Sequence, residues 1–316
     1  MNTATVGQKA SLILATLIVA LTGKNALAAS FSNPTFDPGK IDAGIPGFIG
    51  PDGLGNVTPN NVVNPLFVGW ATGLENYSPT SGVAQQWLAP EQTLGPVTGN
   101  VFDITSLGEL DEDQIAAGVA PGQITLTFDT PIRNGSGADF AVFENGFEVN
   151  GKLFGELAYV EVSTDGINFV RFPSISLTPE PVGEFEVIDA TTVFNLAGKH
   201  VNNAFEFDGE FLGSSWGTPF DLDQLLDAPL INSGLLDLNQ VNYVRIVDIP
   251  GNGEFLDSQN NPIFDPYATP IPGSGGFDLE AVGVINSVSV PEPASTLGLF
   301  LLGVGGLWKS KVKSQK

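Results

Sequence analysis

Apolar and polar residues alternate in short runs through the middle of this chain, and turn-forming residues separate one run from the next. Ile124-Thr-Leu-Thr-Phe128 places Ile, Leu and Phe on one face and Thr on the other, the two-residue period of a half-buried strand. Asp139-Phe-Ala-Val-Phe-Glu144 is apolar on both faces between its acidic ends, as a central strand requires. Ala158-Tyr-Val-Glu-Val-Ser163 turns Ala158, Val160 and Val162 to one side, and Asp165-Gly166 then predicts a hairpin turn into Ile167–Phe172. Val241–Val247 and Phe277–Ile285 complete the set. No long stretch carries the period of an amphipathic helix. One short helix is expected where Thr218-Pro-Phe-Asp221 offers an N-cap, a proline at the first helical position and an acid three residues after the cap, leading into Leu222–Leu226. Short strands punctuated by Gly and Pro predict an all-β fold, an antiparallel β-sandwich with that helix at one end. Ser30 to about Pro65 has little period and reads as an extended lead-in, with an edge strand near Asn61–Phe67.

The two ends carry different signals. Met1–Ala28 has Lys9, an apolar stretch from Ala10 to Leu21 and the A-x-A site Ala26-Leu27-Ala28, the parts of a secretory signal peptide read by the Sec export machinery. At the other end Val290-Pro-Glu-Pro-Ala-Ser295 precedes an apolar segment, Thr296–Trp308, and a tail bearing Lys309, Lys311, Lys313 and Lys316. A segment of 13 residues falls short of the roughly 20 that span a bilayer as a helix. This order resembles the PEP-CTERM sorting signal. The resemblance implies transient inner-membrane anchoring, processing at the Pro291-Glu292-Pro293 motif by an exosortase-type enzyme, and delivery to the cell surface or extracellular matrix of a Gram-negative-type bacterium. The expected organisation is a signal peptide over 1–28, the lead-in over 29–69, a sandwich domain over 70–288 and the sorting signal over 289–316, with membrane segment 296–308 and basic tail 309–316.

Removing both ends changes the charge. Residues 31–290 hold 34 acidic against 6 basic groups, a net charge near −28. Such a surface repels nucleic acid and anionic membrane. It attracts divalent cations, or keeps an exported protein soluble. The chain has no Cys, which excludes disulfides, thiolate chemistry and cysteine metal sites; a domain of this size buries enough apolar surface to stand without a disulfide.

Several collinear segments carry a second resemblance. These include GSGADFAVFENGF (135–147), ELAYVEVSTDGINFVRFP (156–173), GTPFDLDQL (217–225), YVRIVDI (243–249) and GSGGFDLEAVGVI (273–285). Together they resemble a family of bacterial cell surface proteins of undefined activity, over about 70–285. Their order is also similar to discoidin-like or galactose-binding-like jelly-roll domains, which implies a jelly-roll sandwich. Neither resemblance supplies a reaction. Glu280 stands where the closing strand of such domains has a second Asp.

The strongest candidate chemistry is the oxygen-rich loop Asp257–Asp265, flanked by Asp248, Asp278 and Glu280. Ca²⁺ takes six to eight hard oxygen ligands arranged flexibly on turns. Asp257, Asn260, Asp265, Asp278 and Glu280 are the expected ligands; the alternative is that Asp and Asn form Asx-turns in a long loop. Alternation puts Asp278 and Glu280 on one face, where two carboxylates repel unless a cation or Arg245 lies between them. Asp111-Glu-Asp113 reads as a solvated insertion. Glu144 and Asn145 are expected to end a strand or lend oxygens to a ligand or ion. Glu144, Glu156 and Glu161 are also the acids a glycosidase reading would use, if two stood about 5–9.5 Å apart. His200 is the chain's one histidine, so a zinc site or His-based triad has little support. Trp216, between Ser215 and Gly217, is the aromatic best placed to stack on a sugar, with Trp87 second; core packing is the alternative for both. The whole reads as an exported, non-catalytic binding or structural module stabilised by Ca²⁺. A carbohydrate-binding module for exopolysaccharide is the alternative, and a polysaccharide-acting hydrolase comes third.

Overall fold

The alternating runs become strands, and the strands pair antiparallel into two principal sheets. A computed structural model describes residues 44–51, 55–269 and 273–288. The signal peptide with Ala28, and the sorting signal with Pro291, Glu292 and Pro293, lie outside the described residues. In chain order the sandwich strands are β1 (Ile45–Pro46), β2 (Gly69–Trp70), β3 (Gly73–Ser78), β4 (Thr105–Ser106), β5 (Gln123–Ile132), β6 (Phe140–Glu144), β7 (Ala158–Ser163), β8 (Val170–Arg171), β9 (Trp216–Phe220), β10 (Val241–Asp248) and β11 (Asp278–Val284). Sheet one runs β1-β9-β6-β11-β2, with β4 also on β11; sheet two runs β8-β7-β10-β5-β3.

The inward rows make the core. Phe140 and Val142 of β6 stand beside Val284 and Val282 of β11. On sheet two Val160 and Val162 of β7 face Ile246 and Val244 of β10, which in turn face Ile124 and Leu126 of β5. All join one buried cluster, and each such side chain contributes about 1.5–3 kcal/mol on leaving water. The outward rows are covered as well. Ala141, Phe143 and Ala281 of sheet one lie under Phe48, Val57, Phe67 and Val97, so the described part of the lead-in is a packed layer and not a tether. Within it Phe48–Ile49 pairs with Val62–Val63, the strand expected near Asn61–Phe67. On sheet two Tyr159 and Val247 pack against Leu153, Ile188, Val193 and Ile263 from the long connections.

The helix signal at Thr218 is overridden by sheet pairing. Thr218 lies in β9 opposite Val142, and Phe220 opposite Phe140, their rings stacked at 5.4 Å. The helical turn begins only after Asp221, whose carboxylate accepts from Asp223 N, and is one 3-10 turn over Leu222–Leu225. Asp111-Glu-Asp113 is not a bare charged loop: Asp111 and Gln114 form a reciprocal capping box on a short helix, Glu112–Ala116.

Asp139 ties sheet one to the chain around it. Its carboxylate accepts from Gly135 N at 2.7 Å, Leu222 N at 2.8 Å and Asn286 Nδ2 at 2.9 Å. Replacing it by Ala orphans these donors, so Asp139→Ala is expected to cost about 3 kcal/mol, read as a lower urea midpoint at unchanged m-value.

Candidate functional site

Three core rows end in an acid at the same end of the sandwich. Continuing Phe140 and Val142 by two residues reaches Glu144; continuing Val244 and Ile246 reaches Asp248; stepping back from Ala158 reaches Glu156. Register keeps these positions on the inner face: Glu144 pairs with the core residue Leu279, and Asp248 with the core residue Ala158. The connection before β11 and the strand itself add Asp265 and Asp278, and the segment after β4 adds Glu109. All six are buried, Glu144 and Asp248 with 0 % exposure.

Backbone amides hold part of this layer. Leu157 N donates to Asp265 Oδ2 at 2.7 Å, Phe277 N to Asp248 Oδ1 at 2.8 Å and Gly276 N to Glu156 Oε1 at 2.9 Å. Thr269 Oγ1 donates to Glu109 Oε2 at 3.2 Å. Two glycines make the approach possible. At Gly251 (φ +56°) a Cβ would fall 1.7 Å from Asp265 Oδ1, and at Gly276 (φ +77°) 2.6 Å from the backbone carbon of Gly108. Both sit in the left-handed region that favours glycine.

The other lone pairs are not met. Neither oxygen of Glu144 has a hydrogen-bond partner, nor do Glu109 Oε1, Asp248 Oδ2 and Asp278 Oδ1. The charges bearing on Glu144 among the described residues are acids, namely Glu156, Asp278 and Asp265. Burial, then these like charges, push Glu144 well above the usual carboxylate range. Burial likewise raises Glu109, Glu156 and Asp265, lifts Asp248 to about 7 against the amides of Phe277 and Ile249, and lifts Asp278 to about 8 against its polar neighbours Ser274, Ser106 and Asn145. Four described basic groups are engaged elsewhere: Arg171 and Arg245 both grip Glu161, Lys152 pairs with Asp189 at 2.6 Å, and Arg133 donates to Ser287 O.

The expected ligands divide. Asp265 and Asp278 join the layer. Asp257 is taken by its own hairpin, accepting from Gln259 N and Asn261 N at 2.8 Å, Asn261 Nδ2 at 2.9 Å and Ser176 N at 3.0 Å. Burial works against its charge, but these donors hold it below its ordinary value. Asn260 is exposed, at φ +66° in the same turn, so here the Asx-turn alternative describes the loop. Asp278 and Glu280 do not act as a pair. A register shift between Leu279 and Ala281 breaks the alternation, and Glu280 accepts instead from Thr98 N at 3.1 Å and Asn202 Nδ2 at 2.7 Å. Burial still raises it to about 7.

The remaining candidates are held in place structurally. Asn145 Nδ2 donates to Val101 O at 3.1 Å. Trp216 is a strand residue paired with Pro46, not a loop aromatic, and its indole nitrogen is buried. Trp87 is half-buried in a 3-10 turn. Glu161 points away from Glu144 and Glu156, on the face where Arg171 and Arg245 stack over Tyr159 and Phe169. His200 is buried, its N donating to Thr218 Oγ1 at 3.1 Å.

Among the described residues no three His, Asp or Glu side chains already stand grouped as metal ligands. The chain matches no protein-family model and none of the curated proteins. Glu109 escaped the sequence reading, and Asp248 entered it only as a flank. The signal for Asp248 was present: an acid in phase with an apolar strand row.

Proposed function

We propose that this chain is an exported, non-catalytic surface or matrix module whose sandwich is closed at one end by Ca²⁺. One observation carries it: six carboxylates share a buried layer, and in the fully buried Glu144 both oxygens lack a hydrogen-bond partner while the charges bearing on it among the described residues are acids. Burying an isolated charge is costly enough that a counter-ion or a proton has to accompany it. Hard oxygen donors on strand ends and turns suit Ca²⁺. A sealed layer also speaks for a binding or structural role over the hydrolase reading, because a glycosidase pair works at the floor of an open cleft. The chain passes between the sheets at nearly every connection after β3, which supports reading the sandwich as a jelly roll. The signal peptide and PEP-CTERM-like segment support export by the Sec machinery, exosortase-type processing and a surface location, where exopolysaccharide is the neighbouring matrix.

Titrating Ca²⁺ into chelated protein tests the reading. Stability rises as RT ln(1 + [L]/Kd), about 2.7 kcal/mol at a 100-fold excess over Kd, or roughly 5–10 °C in Tm for a domain of this size. A Tm that chelation and re-addition leave unmoved overturns it.

A further inference from the structure

Resting on that calcium reading, the geometry points to a specific site: one divalent cation bound between Glu144, Glu156, Asp265 and Asp278 inside the end of the sandwich, and not in the Asp257–Asp265 hairpin loop where the sequence places it. The argument begins from Glu144. It is fully buried, both carboxylate oxygens lack a partner, and the charges bearing on it are Glu156, Asp265 and Asp278. Asp278 also has an unmet oxygen, Oδ1. Glu156 and Asp265 each have one carboxylate oxygen fixed by an amide, from Gly276 and Leu157. Such an amide bond fixes a carboxylate's position and leaves lone pairs for a ligand.

Cation class follows from the donors. Every contributor is a carboxylate, and the chain has no Cys. That set selects a hard cation over zinc or copper. Mg²⁺ keeps several waters and demands octahedral geometry, whereas Ca²⁺ accepts a dry, irregular, carboxylate-rich shell. Asp248 and Glu109 complete the buried layer around the four. The four ligands do not yet form a closed group, and the ion has to draw their side chains together on binding.

The site would link distant parts of the chain: the end of β6, the entry to β7, the connection after β10 and the start of β11. In a chain without Cys this is the cross-link a disulfide would otherwise supply.

The test uses the full chain, stripped with chelator and titrated with Ca²⁺ alone by calorimetry and thermal melts, in wild type, Glu144→Gln and Asp257→Asn. Expected are about one ion per wild-type chain, a loss of about 100-fold or more in affinity for Glu144→Gln, and unchanged affinity for Asp257→Asn. Glu144→Gln removes a buried charge, so its metal-free form should melt at or above metal-free wild type, which a merely disrupted fold would not do. If it fails to fold, Asp278→Asn gives the same reading. Full Ca²⁺ affinity in Glu144→Gln and in Asp278→Asn overturns this site while leaving the calcium reading intact, and loss confined to Asp257→Asn does the same. No Ca²⁺ response in wild type overturns both.

Discussion

Stripped of divalent cations, the protein is expected to lose stability as pH rises from about 4 to about 8. The sign follows from which state holds protons more tightly. Burial lifts Asp248 to about 7 and Asp278 to about 8, and raises Glu109, Glu144, Glu156 and Asp265 well above the usual range. In the unfolded chain the same groups titrate near pH 4. The folded state therefore binds more protons, and stability falls with pH wherever that holds. The contribution is complete below the unfolded value and gone once pH has passed the folded one. A shift of three units is worth about 4 kcal/mol for one acid, and neighbouring acids lose their protons as a coupled set. Melts of chelated protein should show Tm falling by about 10 °C or more between pH 4.5 and 8.

Calcium is expected to flatten that profile, because the ion replaces the protons as counter-charge and releases them on binding. Asp257 and Asp189 work in the other direction. Both are held below their ordinary values, so what they add is present above pH 4 and lost as pH falls below it. Metal-free protein should thus be most stable near pH 4–5, and calcium-loaded protein across neutral pH. A flat profile in chelated protein would show that the six acids have charge partners, and the metal reading would lose its footing.

Much of the sandwich was legible because packing agrees with local pattern. The runs at Ile124, Phe140, Ala158, Val241 and Phe277 became strands, and Ile124, Leu126, Ala158, Val160 and Val162 turn inward as predicted, since each of these rows had an apolar row to meet. Where the two disagree, pairing wins: Thr218 and Pro219 look like a helix start, yet the aromatic stack of Phe220 on Phe140 draws them into β9. The acidic layer was half legible. Glu144, Glu156 and Asp248 stand in phase with core rows, a signal contained in the alternation itself. Glu109 is brought in by a loop path that no local period reports. The oxygen-rich hairpin at Asp257 reads two ways for a reason equally physical, since Asp and Asn satisfy a turn's amides with the same oxygens a calcium ion would use.

Phe143→Ala should separate the outer layer from the inner core. Phe143 points away from the sheet-to-sheet core, and its ring meets Phe67 at 5.5 Å and Trp70 at 5.9 Å. Gly217 beside it has no room for a Cβ, which would fall 2.8 Å from the Phe143 ring. Truncation leaves a cavity beneath the lead-in and is expected to cost about 4 kcal/mol. Residues 44–51 and 55–67 depend on that face for their burial, and the backbone ties to the body among them include Gly47 N to Ser215 O, Val57 N to Gly213 O and Ser215 N to Gly55 O, with β1 paired to β9. They should therefore open before the sandwich does. Limited proteolysis of Phe143→Ala should cut within this segment under conditions that leave wild type whole. Phe140→Ala, on the inner face and equally buried, should cost a similar amount without that selective cleavage, because its cavity lies between the sheets. Equal cleavage in the two variants would mean that the lead-in and the sandwich unfold as one unit, and that the outer layer is as integral to the fold as the core it covers.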